Sequence, residues 1–135
     1  MEGSVHTYAT TQAPPAILEL TRQLLPRLLE GDAPQLAALR TQAERTTVVR
    51  VEYDGSGFFV HLTVPAELPP VVPADMAGGD ATISLDAGRL LAGCVLFVRD
   101  GRLARIDLYA HHGSWSEDAA DPVVTDVFPL IVPEP

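Results

Sequence analysis

The chain has 135 residues, a formal net charge of −9 and a sequence pI of about 4.6, with 47% hydrophobic and 20% charged residues. That apolar content is enough for a buried core and too high for a disordered chain. The nine basic residues are all arginine, scattered among 18 acids, so no cationic patch favours nucleic acid or an anionic membrane.

The lack of lysine removes Schiff-base and P-loop chemistry, and the lack of asparagine removes a Cys-His-Asn site. A lone cysteine, Cys94, cannot form an internal disulfide, which favours a reducing compartment. Met1–Ala13 has neither a basic nor an apolar signal region. No apolar run approaches the ~20 residues of a membrane span. A cytoplasmic location is expected.

In chain order, residues 1–13 read as a flexible polar tail and 14–135 as one domain. Pro14-Pro15 precedes Ile17, Leu20, Leu24 and Leu28 at helical spacing. Pro26 should end or kink that helix near Leu25. Asp32 is placed to cap a second helix with Pro34 in its first turn. That helix presents Leu36, Leu39 and Ala43 on one face and stops near Arg45.

Two hairpins follow. Residues 48–53 and 58–64 alternate around the turn Asp54-Gly55-Ser56-Gly57. Pairing Tyr53 with Phe58 aligns Val49, Val51, Tyr53, Phe58, Val60 and Leu62 on one side. After a proline-rich connection, Ala81–Asp86 reads as a third strand. Gly93–Arg99 and Arg102–His111 then flank Asp100-Gly101, a type I′ turn signal. Continued in register from Arg99 opposite Arg102, this hairpin pairs Phe97 with Ala104 and Val95 with Ile106. The tail from Asp121 carries four prolines, which bar it from a central strand, and is expected to dock as an extended segment. The expected architecture is α+β: one or two N-terminal helices packed on an antiparallel sheet of about five strands. The helices should cover the face of Val51, Val60, Phe97, Ile106 and Leu108.

Most of the chemistry-bearing residues lie between Asp107 and Asp118. The candidate ligand-binding set is Asp107, Tyr109, His111 and Trp115. The plainer reading is a solvated strand end carrying amphipathic aromatics. A zinc site needs three or four convergent ligands. His111, Glu117 and His61 make a weak set, so neither metal nor cofactor is expected. No serine sits in a Gly-x-Ser-x-Gly elbow, and no catalytic residue is assigned. Cys94 reads as a buried small hydrophobe.

The stretch Asp32–Arg45, the hairpin Cys94-Val95-Leu96-Phe97-Val98-Arg99-Asp100-Gly101-Arg102-Leu103 and Leu108-Tyr109 together resemble a set of small uncharacterised bacterial proteins. In these a short helix precedes β-hairpins. The likeness spans residues 32–118 and implies a fold and no activity.

The functional expectation is a non-catalytic interaction domain that binds another protein or itself, as a homodimer or as an inhibitor or immunity-type partner of a basic protein. The alternative is a small-molecule binder or enzyme using Tyr109, His111 and Trp115 at the end of the sheet.

Overall fold

The computed structural model describes residues 5–133. Strand β1 (His6–Ala9) leads through a 3-10 turn (Thr10–Gln12) to helices α1 (Pro15–Leu28) and α2 (Pro34–Ala43). Strands β2 (Thr47–Tyr53), β3 (Gly57–Thr63), β4 (Met76–Gly78), β5 (Asp80–Leu85), β6 (Leu90–Arg99), β7 (Arg102–Ala110) and β8 (Val123–Phe128) complete the chain. The strands form one antiparallel sheet in the order β1-β2-β3-β7-β6-β5-β8, with β4 also paired to β6. The α+β class holds, and among the described residues the sheet has eight strands instead of about five.

The additional strands come from segments that lack a strong alternating pattern. His6–Ala9, within the segment expected to be a tail, pairs with Arg50–Tyr53. Its backbone finds partners that its polar side chains do not advertise. Residues 1–4 of that segment lie outside the described residues. The proline-bearing C-terminal segment docks as expected: Val123–Phe128 pairs with β5 at the sheet edge. Pro122 and Pro129 flank the strand, where they remove no ladder donor.

Helix α1 runs through Pro26 to Leu28 and is not broken near Leu25. Less than one turn of helix lies beyond the proline, and it is anchored. Leu28 is buried, and its carbonyl accepts a hydrogen bond from Leu130 N–H at 2.8 Å. Helix α2 begins at Pro34 with Ala33 as its N-cap and no side-chain cap, so Asp32 does not take the capping role. Its buried residues are Leu36, Leu39 and Gln42. Gln42 is a polar residue on a face where the sequence pattern leads one to expect only apolar side chains. Its Nε2 donates to the carbonyls of Gly101 (3.0 Å) and Pro69 (3.2 Å), and its Oε1 accepts from Leu103 N–H at 3.0 Å. One side chain thus ties α2 to the β6–β7 turn.

Both hairpin turns form where expected. Asp100 and Gly101 have φ of 54° and 77°, the positive pair that a type I′ turn requires. Each hairpin also contains a bulge. In β2–β3, Tyr53↔Phe58 through Arg50↔His61 keep the expected register, and the pairing then slips so that Val48 meets Leu62. Val49 is therefore exposed, while Val48 packs against the core. In β6–β7, Arg99↔Arg102 and Val98↔Leu103 hold, after which Phe97 pairs with Arg105 and not Ala104, and Leu96 with Ile106. A slip of one residue exchanges the faces of a strand. Cys94, Leu96 and Val98 therefore join Leu103, Ile106 and Leu108 in the core, and Phe97 points to the opposite face. The core assignments of Val51, Val60, Ile106 and Leu108 hold, and that of Phe97 does not.

This exchange makes a direct comparison possible. Leu96→Ser, at a fully buried site, should cost about 4 kcal/mol. Phe97→Ser should cost about 1 kcal/mol. Urea midpoints of the two variants in dilute protein check this, and equal losses would refute the bulged register.

Helix α1 packs against β8 and α2 against β7, both on the core face of the sheet. Among the described residues, no helix is long and apolar enough to cross a membrane.

Candidate interaction surface

The opposite sheet face bears no helix, and register places its side chains. From β2 come Arg50 and Glu52, from β3 Phe59 and His61, and from β7 Arg105, Asp107 and Tyr109. Strand β6 contributes Leu91, Val95 and Phe97, and β8 contributes Val123 and Phe128. The face divides into two zones.

The first zone is polar, and four of its side chains are paired within it. Arg105 grips Asp107 with two hydrogen bonds, Nε to Oδ1 at 2.6 Å and Nη2 to Oδ2 at 3.2 Å. The same guanidinium lies 4.5 Å from the Phe97 ring centroid and 5.8 Å from that of Phe59, within cation–π range. His61 Nε2 contacts Glu52 Oε1. Arg105 with Asp107 and His61 with Glu52 thus form closed pairs beside partly covered aromatics.

The second zone is apolar and open. Leu91 is 50% exposed, Val123 53%, Phe128 61% and Tyr109 37%. Leu91 pairs with Ser84, and Ser84 with Val123, so these three form one row across β6, β5 and β8. Gly93 explains how Tyr109 lies across the strands. A Cβ at Gly93 would sit 2.6 Å from the Tyr109 hydroxyl and 2.9 Å from Asp80 Oδ1. The Tyr109 hydroxyl donates weakly to Asp80 Oδ2 at 3.4 Å, while Asp80 Oδ1 accepts from the N–H groups of Ala81 (2.7 Å) and Cys94 (3.0 Å). Partial burial and then the nearby Asp80 charge raise the Tyr109 pKa, so this hydroxyl stays protonated and acts as a donor.

No family model, no curated protein and no solved structure matches this chain. The surface must therefore be read from its own chemistry.

Three of the four sequence-derived candidates lie on this side of the molecule. Asp107 and Tyr109 sit on the open face, and His111 follows at its end, its ring centroid 5.8 Å from that of Tyr109. Trp115 belongs elsewhere. It is fully buried on the core side, edge-on to Phe58 with centroids 5.4 Å apart. Its backbone N–H donates to Gly55 carbonyl at 2.9 Å, and its own carbonyl accepts from the Tyr53 hydroxyl at 2.5 Å. Tyr109 and His111 are neighbours; Trp115 shares a cavity with neither.

Among the described residues, no three His, Cys, Asp or Glu side chains converge as a metal site would require. Cys94 is buried, and burial, followed by the Asp80 charge, pushes its thiol up to about 12. A thiol so raised is not a nucleophile at neutral pH.

Sequence reasoning missed Leu91, whereas Val123 and Phe128 belong to the C-terminal segment whose surplus of apolar residues already suggests cover by a partner. A signal for Leu91 was present in β6, where both residue parities are apolar: Leu91, Val95 and Phe97 on one, Ala92, Cys94, Leu96 and Val98 on the other. An antiparallel strand with one solvated face should alternate. A strand apolar on both faces expects cover on both.

Proposed function

We propose that this chain is a non-catalytic interaction domain that associates with a second copy of itself through the helix-free face of its sheet. The observation that carries this reading is the open apolar zone of Leu91, Tyr109, Val123 and Phe128, in a position that an antiparallel sheet normally gives to polar side chains. Size supports it as well. The seven strands of the main sheet path, at ~4.8 Å spacing and with roughly six residues each at ~3.3 Å, present roughly 700 Å². That is close to the ~800 Å² per partner of a standard interface. Two such faces stacked about a two-fold axis would bury the apolar zones together, and the Arg105–Asp107 pair of the central strand β7 would be covered as a closed pair.

Sedimentation tests this reading. The wild-type chain is expected to sediment as a dimer at micromolar concentration. Phe128→Glu and Leu91→Arg, both at exposed positions that leave the fold intact, should sediment as monomers with unchanged secondary structure. A wild-type protein that remains monomeric at millimolar concentration would sink the proposal.

A further inference from the structure

On the other side of the sheet, α1 and α2 stand apart and leave a cleft of about 650 Å³ above the ends of β2 and β3. Ligand pockets commonly measure roughly 300–1,000 Å³ and combine apolar walls with a few polar groups. Here the walls are Leu18 and Leu25 of α1, Ala43 of α2, and Val48 and Leu62 of the sheet. Three of the lining hydroxyls are already committed: Thr10 to Val48 carbonyl, Thr21 to Ile17 carbonyl and Thr46 to Thr63 carbonyl. They therefore add little polarity to the interior.

The charges bordering the cleft are unusual for so acidic a chain. Arg22, Arg40 and Glu44 line it, two guanidinium groups against one carboxylate. Arg40 is held in place by neutral acceptors. Its Nη1 donates to the carbonyls of Leu29 (2.6 Å) and Gly31 (3.1 Å). No carboxylate among the described residues pairs with it. A guanidinium has five donors, so Arg40 retains both its charge and free N–H groups. Arg22 pairs with Glu19 at 2.6 Å, with both side chains largely exposed; such a pair is weak and exchanges readily for a better anion.

We infer that the interhelical cleft binds a monocarboxylate carrying a long apolar chain, with the chain against the leucine walls and the carboxylate on Arg40, assisted by Arg22. Cleft and open sheet face lie on opposite sides of the molecule, so this inference does not depend on the self-association reading.

The test is calorimetric titration of the full chain, below micelle concentrations, with dodecanoate, dodecanol and dodecyltrimethylammonium, three head groups on one tail. Dodecanoate should bind at least ~10-fold more tightly than dodecanol, as expected for a charge-assisted hydrogen bond, and the cation most weakly. Ala43→Trp, which fills the cleft, should abolish binding of all three. Arg40→Gln should remove most of the preference for dodecanoate over dodecanol, leaving the part that Arg22 supplies, and leave dodecanol unchanged; if that variant fails to fold, the head-group series on the wild type decides. Phe128→Glu on the distant face should bind dodecanoate like the wild type. Equal affinity for the three head groups, no dodecanoate binding, binding retained in Ala43→Trp or binding lost in Phe128→Glu would each overturn the inference.

Discussion

Gln42→Leu is expected to lower the unfolding free energy by about 4 kcal/mol, although the substitution raises hydrophobicity at a buried helix position. The wild-type amide makes three hydrogen bonds, two of them buried, to the Gly101 carbonyl and from Leu103 N–H, and one part-buried, to the Pro69 carbonyl. Leucine makes none of them. Leu103 N–H is left buried without its acceptor, and the Pro69 carbonyl loses a donor, while the Gly101 carbonyl keeps only Val71 N–H at 2.9 Å. Each buried group stranded in this way costs ~1–3 kcal/mol, far more than the ~1 kcal/mol net worth of an average hydrogen bond. Gln42→Glu should be no rescue. It restores the acceptor for Leu103, but an ionised carboxylate cannot donate to the two carbonyls. Urea unfolding followed by circular dichroism measures both variants. A Gln42→Leu protein as stable as the wild type would mean that α2 is not secured through this side chain.

Trp115→Ala should be similarly costly, at about 4 kcal/mol. The indole is fully buried and meets Phe58 edge-on, an arrangement that adds ~1 kcal/mol beyond area burial. Its backbone is fastened at both polar groups, to Gly55 and by Tyr53, so the segment cannot easily collapse into the space left behind. Tyr109→Ala provides the contrast. Its ring lies on the open face, and its loss should shift the unfolding free energy by well under ~1 kcal/mol in dilute protein. Comparable losses for the two variants would contradict their placement on opposite sides of the sheet.

The four candidate site residues show how sequence proximity misleads. Strand parity puts Asp107 and Tyr109 on one side, and His111, one residue past the strand, stays beside Tyr109. Trp115 follows only four positions later, but the strand ends at Ala110, and the chain turns through Gly113 with φ of 67°. Parity carries no information past that point. What draws the indole to the core side is Phe58, far away in sequence and reached through the β2–β3 pairing. The missed core position of Gln42 has the same origin. A helical pattern marks which residues face inward, but the acceptors and donors that make an inward glutamine favourable belong to a turn that forms ~60 residues later.

Some features are properties of local sequence. The type I′ turn at Asp100-Gly101, the four-residue turn at Asp54–Gly57, the leucine stripe of α1 and the exclusion of Pro122–Pro133 from a central strand depend on backbone sterics and on residue periods of 2 and 3.6, which neighbouring residues determine among themselves. The bulges near Val49 and Ala104, the recruitment of His6–Ala9 as a strand and the continuation of α1 through Pro26 are different. Each is locally neutral or unfavourable, and each is selected by the burial and hydrogen bonding that become possible when remote segments close on the core. For Phe97 that selection was decisive, because one inserted residue exchanges the two faces of a strand, and only packing against helices and neighbouring strands determines which face the core takes.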